Sequence, residues 1–226
     1  MLRRMQLDPS VYTYRTYVVS AGDYFSASKA VEFEQSLSGR KQVEGKRQNR
    51  AIGDATSNPD ISGHYSIVTV PRARRIHQSY LTAPFSTLQC LWACLLVLRG
   101  LHPDQRPFLR MRFGYPDVIL ANGPATAVCV ILAARILRFF HNLAALSPFR
   151  ASSIGKSQQG RKGDTLSDFQ LRTIFVESWA RVTTLSLSGK LLLPFVDRFL
   201  VQWPALEGRR SWKGARKTEY VGALVD

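Results

Sequence analysis

The segment over residues 173–206 constrains the fold of this chain more than any other stretch. An apolar run over residues 174–176 stops at Glu177, and a second run over residues 199–201 stops at Gln202. Apolar strands that end abruptly in polar residues are typical of a buried parallel sheet, whose carboxyl edge holds the ligand site in open α/β folds. The segment therefore predicts two parallel strands with a ligand site where they end.

Strand-like and helix-like segments alternate along the chain. β-rich runs bounded by turn residues predict strands over residues 14–20, 65–70, 117–121, 172–176 and 198–202. The segments that follow predict helices over residues 26–35 with Ser26 as N-cap, 79 or 82 to about 99, about 125–141, and 185–193. The alternation predicts an α/β fold, a Rossmann-like parallel sheet flanked by helices. A length of 226 residues favours one domain over residues 1–226.

The net charge of +15 at pH 7 favours an anionic partner or an anionic surface. Of this excess, +11 lies in three polar segments, over residues 38–50, 150–164 and 207–217. They predict solvated basic loop insertions near residues 38–63 and 150–168 and a tail near residues 207–226; attraction to anionic lipid headgroups is the second interpretation. Nucleic-acid binding ranks third, because these segments hold no aromatic residue except Trp212 and no metal spacing.

The cysteines and histidines show no spacing typical of a metal site, a disulfide framework or a catalytic triad. Cys90, Cys94 and Cys129 all lie in apolar runs, where a free cysteine behaves as a small hydrophobic residue. A sparse, odd set of thiols argues against an oxidising compartment. We therefore expect no metal and no cofactor.

Two apolar segments raise the question of a membrane span. Residues 81–98 are interrupted by Pro84 and polar side chains, and the run over residues 125–134 is followed by Arg135 and Arg138. Neither offers the roughly 20 uninterrupted apolar residues that a spanning helix needs. We expect core helices and no span, with residues 81–101 as the candidate for a helix lying at the membrane interface.

Polar residues that follow predicted strands are the candidate site residues. Asn122 and Gly123 stand between a strand and a helix, where glycine admits a ligand to the backbone and free N–H groups attract an anion. Glu177 could orient a sugar hydroxyl or act as a base, and Arg181 could bind a phosphate. An ordinary turn at Asn122, or a Glu177–Arg181 ion pair, is the structural alternative.

Further candidates lie in two other segments. Arg72 and Arg74 follow the strand over residues 65–70, and two guanidinium groups at a strand end suit a diphosphate. Ser186, Gly189 and Lys190 lack the spacing of a P-loop, so capping and packing of a helix is the better interpretation.

Four ordered blocks carry a family resemblance, over residues 14–34, 70–82, 116–130 and 173–206. They resemble the membrane-recruiting, acceptor-side subunit of the two-subunit N-acetylglucosaminyltransferase of asparagine-linked glycosylation, called subunit fourteen of that pathway. The resemblance implies the acceptor half of a two-domain (GT-B type) glycosyltransferase. The family opens with a hydrophobic helix, a strand and a Gly-Gly-His-Thr loop that this sequence does not show, so we expect an N-terminally shortened version.

The resemblance also implies partners and a location. A separate, soluble catalytic subunit binds UDP-N-acetylglucosamine, and this chain binds dolichyl-diphosphate N-acetylglucosamine, whose 4-hydroxyl attacks with inversion. By that resemblance the acceptor site comprises Arg72, Arg74, Asn122, Gly123, Glu177 and Arg181. The chain would be inactive alone and would lie on the cytosolic face of the endoplasmic reticulum membrane, with the nuclear envelope as a second candidate location and Glu177 as a weak catalytic candidate.

The apolar ending of the chain predicts a docking element for the catalytic subunit. It follows the basic tail and comprises Tyr220, Val221, Leu224 and Val225. Apolar terminal segments fray unless something covers them. The alternative is an edge strand of the chain's own sheet.

Two other functions fit the same predicted sheet. A freestanding nucleotide-sugar-binding enzyme would bind UDP-N-acetylglucosamine without a partner, which a titration of the purified chain detects. A scaffold that has lost acceptor binding would assemble with the catalytic subunit without contributing to acceptor use.

Overall fold

The structure is a computed structural model of the chain, and it describes residues 8, 11–48, 64–74, 83–105, 115–123, 125–146, 171–211 and 216–224. These residues fall into two compact units. The first unit comprises Met1–Pro71, Pro103–Arg106 and Leu224–Asp226, and the second comprises Arg72–His102 and Pro107–Ala223. The prediction of a single domain over residues 1–226 stays a prediction.

The first unit is a strand–helix–strand element with two parallel strands. Its elements are β1 (Tyr14–Ser20), α1 (Tyr24–Gln48) and β2 (His64–Val70). Each residue of β1 pairs with one of β2, from Tyr14 with His64 to Ser20 with Val70. This parallel pairing over seven residues confirms the first two predicted strands.

The helix of the first unit differs from its prediction at both ends. It begins at Tyr24, and the Asp23 carboxylate accepts a hydrogen bond of 3.0 Å from the backbone N–H of Ser26, so Asp23 caps the helix where Ser26 was expected to. Residues 38–48, predicted as the start of a basic loop, are helical. The rest of that predicted insertion, residues 49–63, lies outside the described residues.

A buried ion pair holds α1 against β1. The Arg15 guanidinium donates Nε–H and Nη2–H to the two oxygens of Glu34 at 2.6 and 2.7 Å. The Tyr17 hydroxyl donates to the same carboxylate at 2.6 Å. Burial, reinforced by this hydrogen bond, raises the pKa of Tyr17 above its ordinary value, so that the phenol stays a donor. A bidentate pair with a third donor satisfies the buried carboxylate of Glu34.

The second unit contains a four-stranded parallel sheet in the order β3-β4-β5-β6. Its strands are β3 (Val118–Asn122), β4 (Arg172–Val176), β5 (Arg198–Val201) and β6 (Glu219–Tyr220). Its helices are α2 (Ala83–Leu98), α3 (Ala125–Leu146) and α4 (Leu187–Leu192), with a 3₁₀ turn over Pro204–Leu206. The parallel strands and flanking helices confirm the predicted α/β, Rossmann-like class.

Aromatic and branched side chains of the central strands form the core of this unit. The rings of Phe175 on β4 and Phe199 on β5 lie 5.0 Å apart, centroid to centroid, and both side chains are buried. The buried side chain of Ile131 on α3 belongs to the same cluster. Each such burial stabilises the fold by about 1.5–3 kcal/mol, so α3 is held on the sheet mainly by apolar contact.

The helices α2 and α3 pack together through small residues. Cys90, Cys94 and Cys129 are buried free thiols, as predicted from their apolar surroundings.

The helix α3 contains Ala125–Leu143, a segment of 19 residues that is long and apolar enough to cross a membrane by length and composition. One third (33%) of its most apolar window is buried inside the unit, and core helices of soluble proteins pass the same test.

At the amino-terminal edge of this sheet, Asp197, which directly precedes β5, links β4 to α3. Its carboxylate accepts hydrogen bonds from the backbone N–H of Thr173 at 2.8 Å and from the Thr173 hydroxyl at 3.0 Å. It also forms an ion pair of 2.8 Å with Arg138 of α3. Burial alone would raise the pKa of Asp197, but the hydrogen bonds from Arg138 and Thr173 outweigh it and hold the pKa below its ordinary value.

Replacing Asp197 with Asn should lower the free energy of unfolding at pH 7 by about 2 kcal/mol, because charge-assisted hydrogen bonds are lost. A carboxyl group with a lowered folded-state pKa contributes stability above its unfolded-state pKa and loses it as the pH falls through the folded-state value. Urea unfolding at a series of pH values should therefore show the difference between wild type and variant shrinking in acid. A pH-independent difference would contradict this account; Glu207→Gln, at an exposed position, is the control.

Candidate functional site

The strands of the second unit end side by side at one edge of the sheet. Asn122, the last residue of β3, pairs with Val176, the last residue of β4. Val176 in turn pairs with Leu200 of β5. Asn122, Gly123 and Glu177 therefore lie at the same carboxyl edge, as the sequence predicted. Gly123 has a φ of +105° with open space where a side chain would start, so glycine suits this turn and leaves the backbone accessible.

Glu177 is buried at this edge, with 1% of its surface exposed. One carboxylate oxygen accepts from the backbone N–H of Ser178 at 2.9 Å. The other accepts from the backbone N–H of Ser186 at 3.0 Å and from its hydroxyl at 3.1 Å. Both oxygens are thus engaged in fixing the loop after β4. This geometry gives Glu177 a positioning role, because a general base must reach the substrate proton.

Ser186 and Gly189 complete this arrangement. The Ser186 hydroxyl oxygen accepts a hydrogen bond of 2.9 Å from the backbone N–H of Gly189 and so caps α4, which confirms the capping interpretation of this segment. A Cβ atom at Gly189 would lie 2.1 Å from the Glu177 carboxylate and 3.1 Å from the ring of Phe199. Residue 189 must be glycine because the carboxylate passes directly over its backbone.

The first two residues after β5 contact the loop after β4 and so link the two loops. The Gln202 side-chain amide, which is buried, donates to the Glu177 carbonyl oxygen at 2.8 Å. The Trp203 indole N–H donates to the Trp179 carbonyl oxygen at 2.8 Å, and the two indole rings lie 4.4 Å apart, centroid to centroid. In the sequence, Gln202 was noted only as the residue at which an apolar strand stops. A polar residue and a tryptophan directly after an apolar run were the available signal.

The predicted arginines lie in three different settings. Arg181 is exposed in the loop after β4, and Glu177 pairs with Ser178 and Ser186 rather than with it in the described structure. Arg74 is exposed and Arg72 half-buried, on either side of Ala73. The Ala73 carbonyl oxygen accepts hydrogen bonds from the hydroxyls of Ser86 and Thr87, near the start of α2, at 2.9 and 3.1 Å. This contact fixes the segment of Arg72 and Arg74 at the start of α2.

The predicted docking tail contributes the last strand of the sheet. Val221 donates its backbone N–H to the Val201 carbonyl oxygen at 3.1 Å, directly after β6. Tyr220 and Val221 are exposed, Leu224 is half-buried, and Val225 lies outside the described residues. The edge-strand alternative therefore describes residues 219 and 220, and within the described residues no further strand pairs with the outer side of β6.

Comparison with known proteins identifies the family. The family model described as "Oligosaccharide biosynthesis protein Alg14 like" matches residues 1–224. The chain belongs to this Alg14-like family. It is 58% identical over 233 residues to the UDP-N-acetylglucosamine transferase subunit alg14 of Aspergillus fumigatus, which covers 100% of this chain and 99% of the relative.

More distant Alg14-like relatives match most of the chain. The subunit alg14 of Schizosaccharomyces pombe is 33% identical over 97% of this chain and 73% of the relative. The mouse subunit ALG14 is 28% identical over 96% of this chain and 72% of the relative. No solved structure matches the chain. These findings confirm the family resemblance predicted from the four sequence blocks.

The contact between Glu177 and Gly189 is testable by a double-mutant cycle. Gly189→Ala should lower the free energy of unfolding by about 1–3 kcal/mol, because the new methyl group meets the carboxylate. In a Glu177→Ala background the same substitution should cost less, since the obstructing oxygen is gone. Denaturant unfolding of the wild type, both single variants and the double variant gives the coupling energy. Additive effects would show that the two residues do not constrain each other.

Proposed function

We propose that this chain is the acceptor-binding subunit of a UDP-N-acetylglucosamine transferase in the dolichol-linked oligosaccharide pathway. The observation that carries the proposal is the match to the Alg14-like family over residues 1–224, with 58% identity to a relative named as a subunit of that transferase. In this proposal a second, catalytic subunit holds UDP-N-acetylglucosamine. The acceptor is dolichyl-diphosphate N-acetylglucosamine, whose 4-hydroxyl attacks the anomeric carbon with inversion as UDP leaves.

The carboxyl edge of the four-stranded sheet supports an acceptor site. The open backbone at Gly123 and the exposed guanidinium of Arg181 suit a diphosphate, which favours N–H donors and bidentate arginine contacts. Glu177 supports the site by holding the loop that carries Arg181. Since its carboxylate is buried and hydrogen-bonded, we assign it positioning and leave proton transfer to groups supplied by the assembled enzyme.

Exposed apolar side chains on α2 support attachment to a membrane surface. Phe85, Leu88 and Trp92 are 76%, 62% and 65% exposed and recur at the spacing of one helix face. Phe139, Phe140 and Leu143 of α3 are also exposed. A face of this kind, on a chain with a net charge of +15, suits an anionic lipid interface. We place it on the cytosolic face of the endoplasmic reticulum membrane, where the subunit recruits its catalytic partner.

The acceptor site predicts a selective loss of acceptor use. Arg181→Ala or Arg72→Ala should raise the KM for the lipid acceptor about tenfold, the effect of losing one charge-assisted contact. Co-purification with the catalytic subunit and the KM for UDP-N-acetylglucosamine should stay unchanged. Arg172→Ala, which removes an exposed arginine at the amino end of β4, is the charge-matched control. Unaltered acceptor use in both variants would show that neither arginine binds the diphosphate.

The membrane assignment predicts peripheral rather than integral behaviour for the chain as numbered here. Alkaline carbonate should release it from membranes, since the buried part of α3 packs on its own sheet. Replacing Leu88 and Trp92 with serine should reduce the membrane-bound fraction before carbonate treatment, because two of the exposed apolar side chains are lost. Retention of the wild-type chain in the carbonate pellet would mean that a helix inserts.

The docking assignment predicts that the tail is needed for assembly. Deleting residues 220–226 should abolish co-purification with the catalytic subunit, because the exposed outer side of β6 and the apolar ending are removed. The shortened chain should still unfold cooperatively, since β6 is a two-residue edge strand that contributes little to the core. Continued assembly of the shortened chain would place the interface elsewhere. Loss of cooperative unfolding would make the tail a structural strand instead.

A further inference from the structure

An open groove of about 380 Å³ lies beside α4 in the second unit. It is lined by three cationic, two hydroxyl-bearing and two apolar residues, namely Lys190, Arg209, Arg210, Thr184, Ser211, Leu185 and Leu193. None of the acceptor residues predicted from the sequence lines it, whereas Arg209, Arg210 and Ser211 lie in the tail predicted near residues 207–226. The groove is therefore distinct from the predicted acceptor residues.

Two hydrogen-bonded anchors bring the cations of the groove together. The capping contacts of Ser186 fix the start of α4 and with it Lys190, which lies in the last turn of this short helix. On the other side, the Arg209 backbone N–H donates to the hydroxyl of buried Thr218 at 2.9 Å. The Arg209 side chain donates to the Thr183 carbonyl oxygen at 3.3 Å. The chain thus holds residues 209 and 210 close to α4 although some twenty residues separate them in sequence.

The groove is electrostatically unbalanced. Among the described residues, none that lines it is acidic. The side chains of Lys190 and Arg210 make no hydrogen bond or ion pair within the part of the chain that the structure describes. Other arginines of the same unit are paired, as Arg138 is with Asp197 and Arg198 with Glu219. Three cations around one concave surface repel one another and attract an anion, because a cleft concentrates the field of its charges.

We propose that this groove binds the diphosphate group of a sugar-diphosphate ligand. Its volume suits a small ligand, and ligand pockets combine apolar walls with a few convergent polar groups. Lys190, Arg209 and Arg210 face the phosphate oxygens, and the hydroxyls of Thr184 and Ser211 supply further donors. The choice of a sugar diphosphate rests on the proposed transferase function. The diphosphate belongs either to the nucleotide sugar or to the lipid-linked sugar, since both carry the same group.

Binding of inorganic pyrophosphate to the purified full-length chain tests the groove directly. Isothermal titration should show that a Lys190→Ala/Arg210→Ala double variant binds at least about tenfold more weakly than wild type. The double control Arg172→Ala/Lys217→Ala removes two exposed charges outside the groove and should leave affinity unchanged. Melting curves confirm that both variants fold. Equal affinity of the groove variant and wild type, or equal weakening in the control, would overturn the proposal.

Competition then identifies the source of the diphosphate. Displacement of pyrophosphate by UDP-N-acetylglucosamine assigns the groove to the nucleotide sugar, and displacement by a short-chain prenyl-diphosphate N-acetylglucosamine assigns it to the acceptor. Either result supports the proposal, and displacement by neither overturns it. These readouts are independent of catalysis. Specific pyrophosphate binding in a chain that assembles with no transferase partner would refute the proposed function and leave the groove standing.

Discussion

The carboxyl edge of the four-stranded sheet depends on the hydrogen bonds that the buried Glu177 carboxylate accepts. It lies at the end of β4, and its two oxygens receive the backbone of Ser178 and both donors of Ser186. An unpaired carboxylate in this position would be strongly destabilising, so the loop after β4 must close over it. The same closed loop caps the start of α4 and requires glycine at residue 189. Arg181 lies in this loop, and Lys190 lies in the helix that follows it.

The two edges of the sheet have different tasks. At the amino edge Asp197 links Thr173 and Arg138 and so fastens α3 to the strands, which is a matter of stability. At the carboxyl edge, polar side chains hold the loops in place through hydrogen bonds. Among the described residues, the basic side chains that make no such bonds there are exposed to solvent. This division is what open parallel sheets permit, because side chains beyond the strand ends can vary without disturbing the core.

Elements with a strong local signal were predictable from the sequence. Strands were predicted over residues 172–176 and 198–202 because apolar runs end there in polar residues, and the structure has them over residues 172–176 and 198–201. The Ser186 cap followed from local helix chemistry. The second half of α1 was missed because its basic composition resembles a solvated loop. The role of Glu177 and the groove at Lys190 were missed because their partners lie 9 to 20 residues away and only the fold brings them together.

The central claim, that the carboxyl edge of this sheet holds the lipid-linked sugar, is most directly tested by photolabelling. A short-chain acceptor analogue with a photoreactive group beside its diphosphate is crosslinked to the assembled enzyme, and the labelled peptides are identified by mass spectrometry. We predict label in this chain within the segments that follow β3 and β4, with UDP-N-acetylglucosamine unable to remove it. Label confined to the catalytic subunit, or label displaced from these segments by UDP-N-acetylglucosamine, would contradict the account.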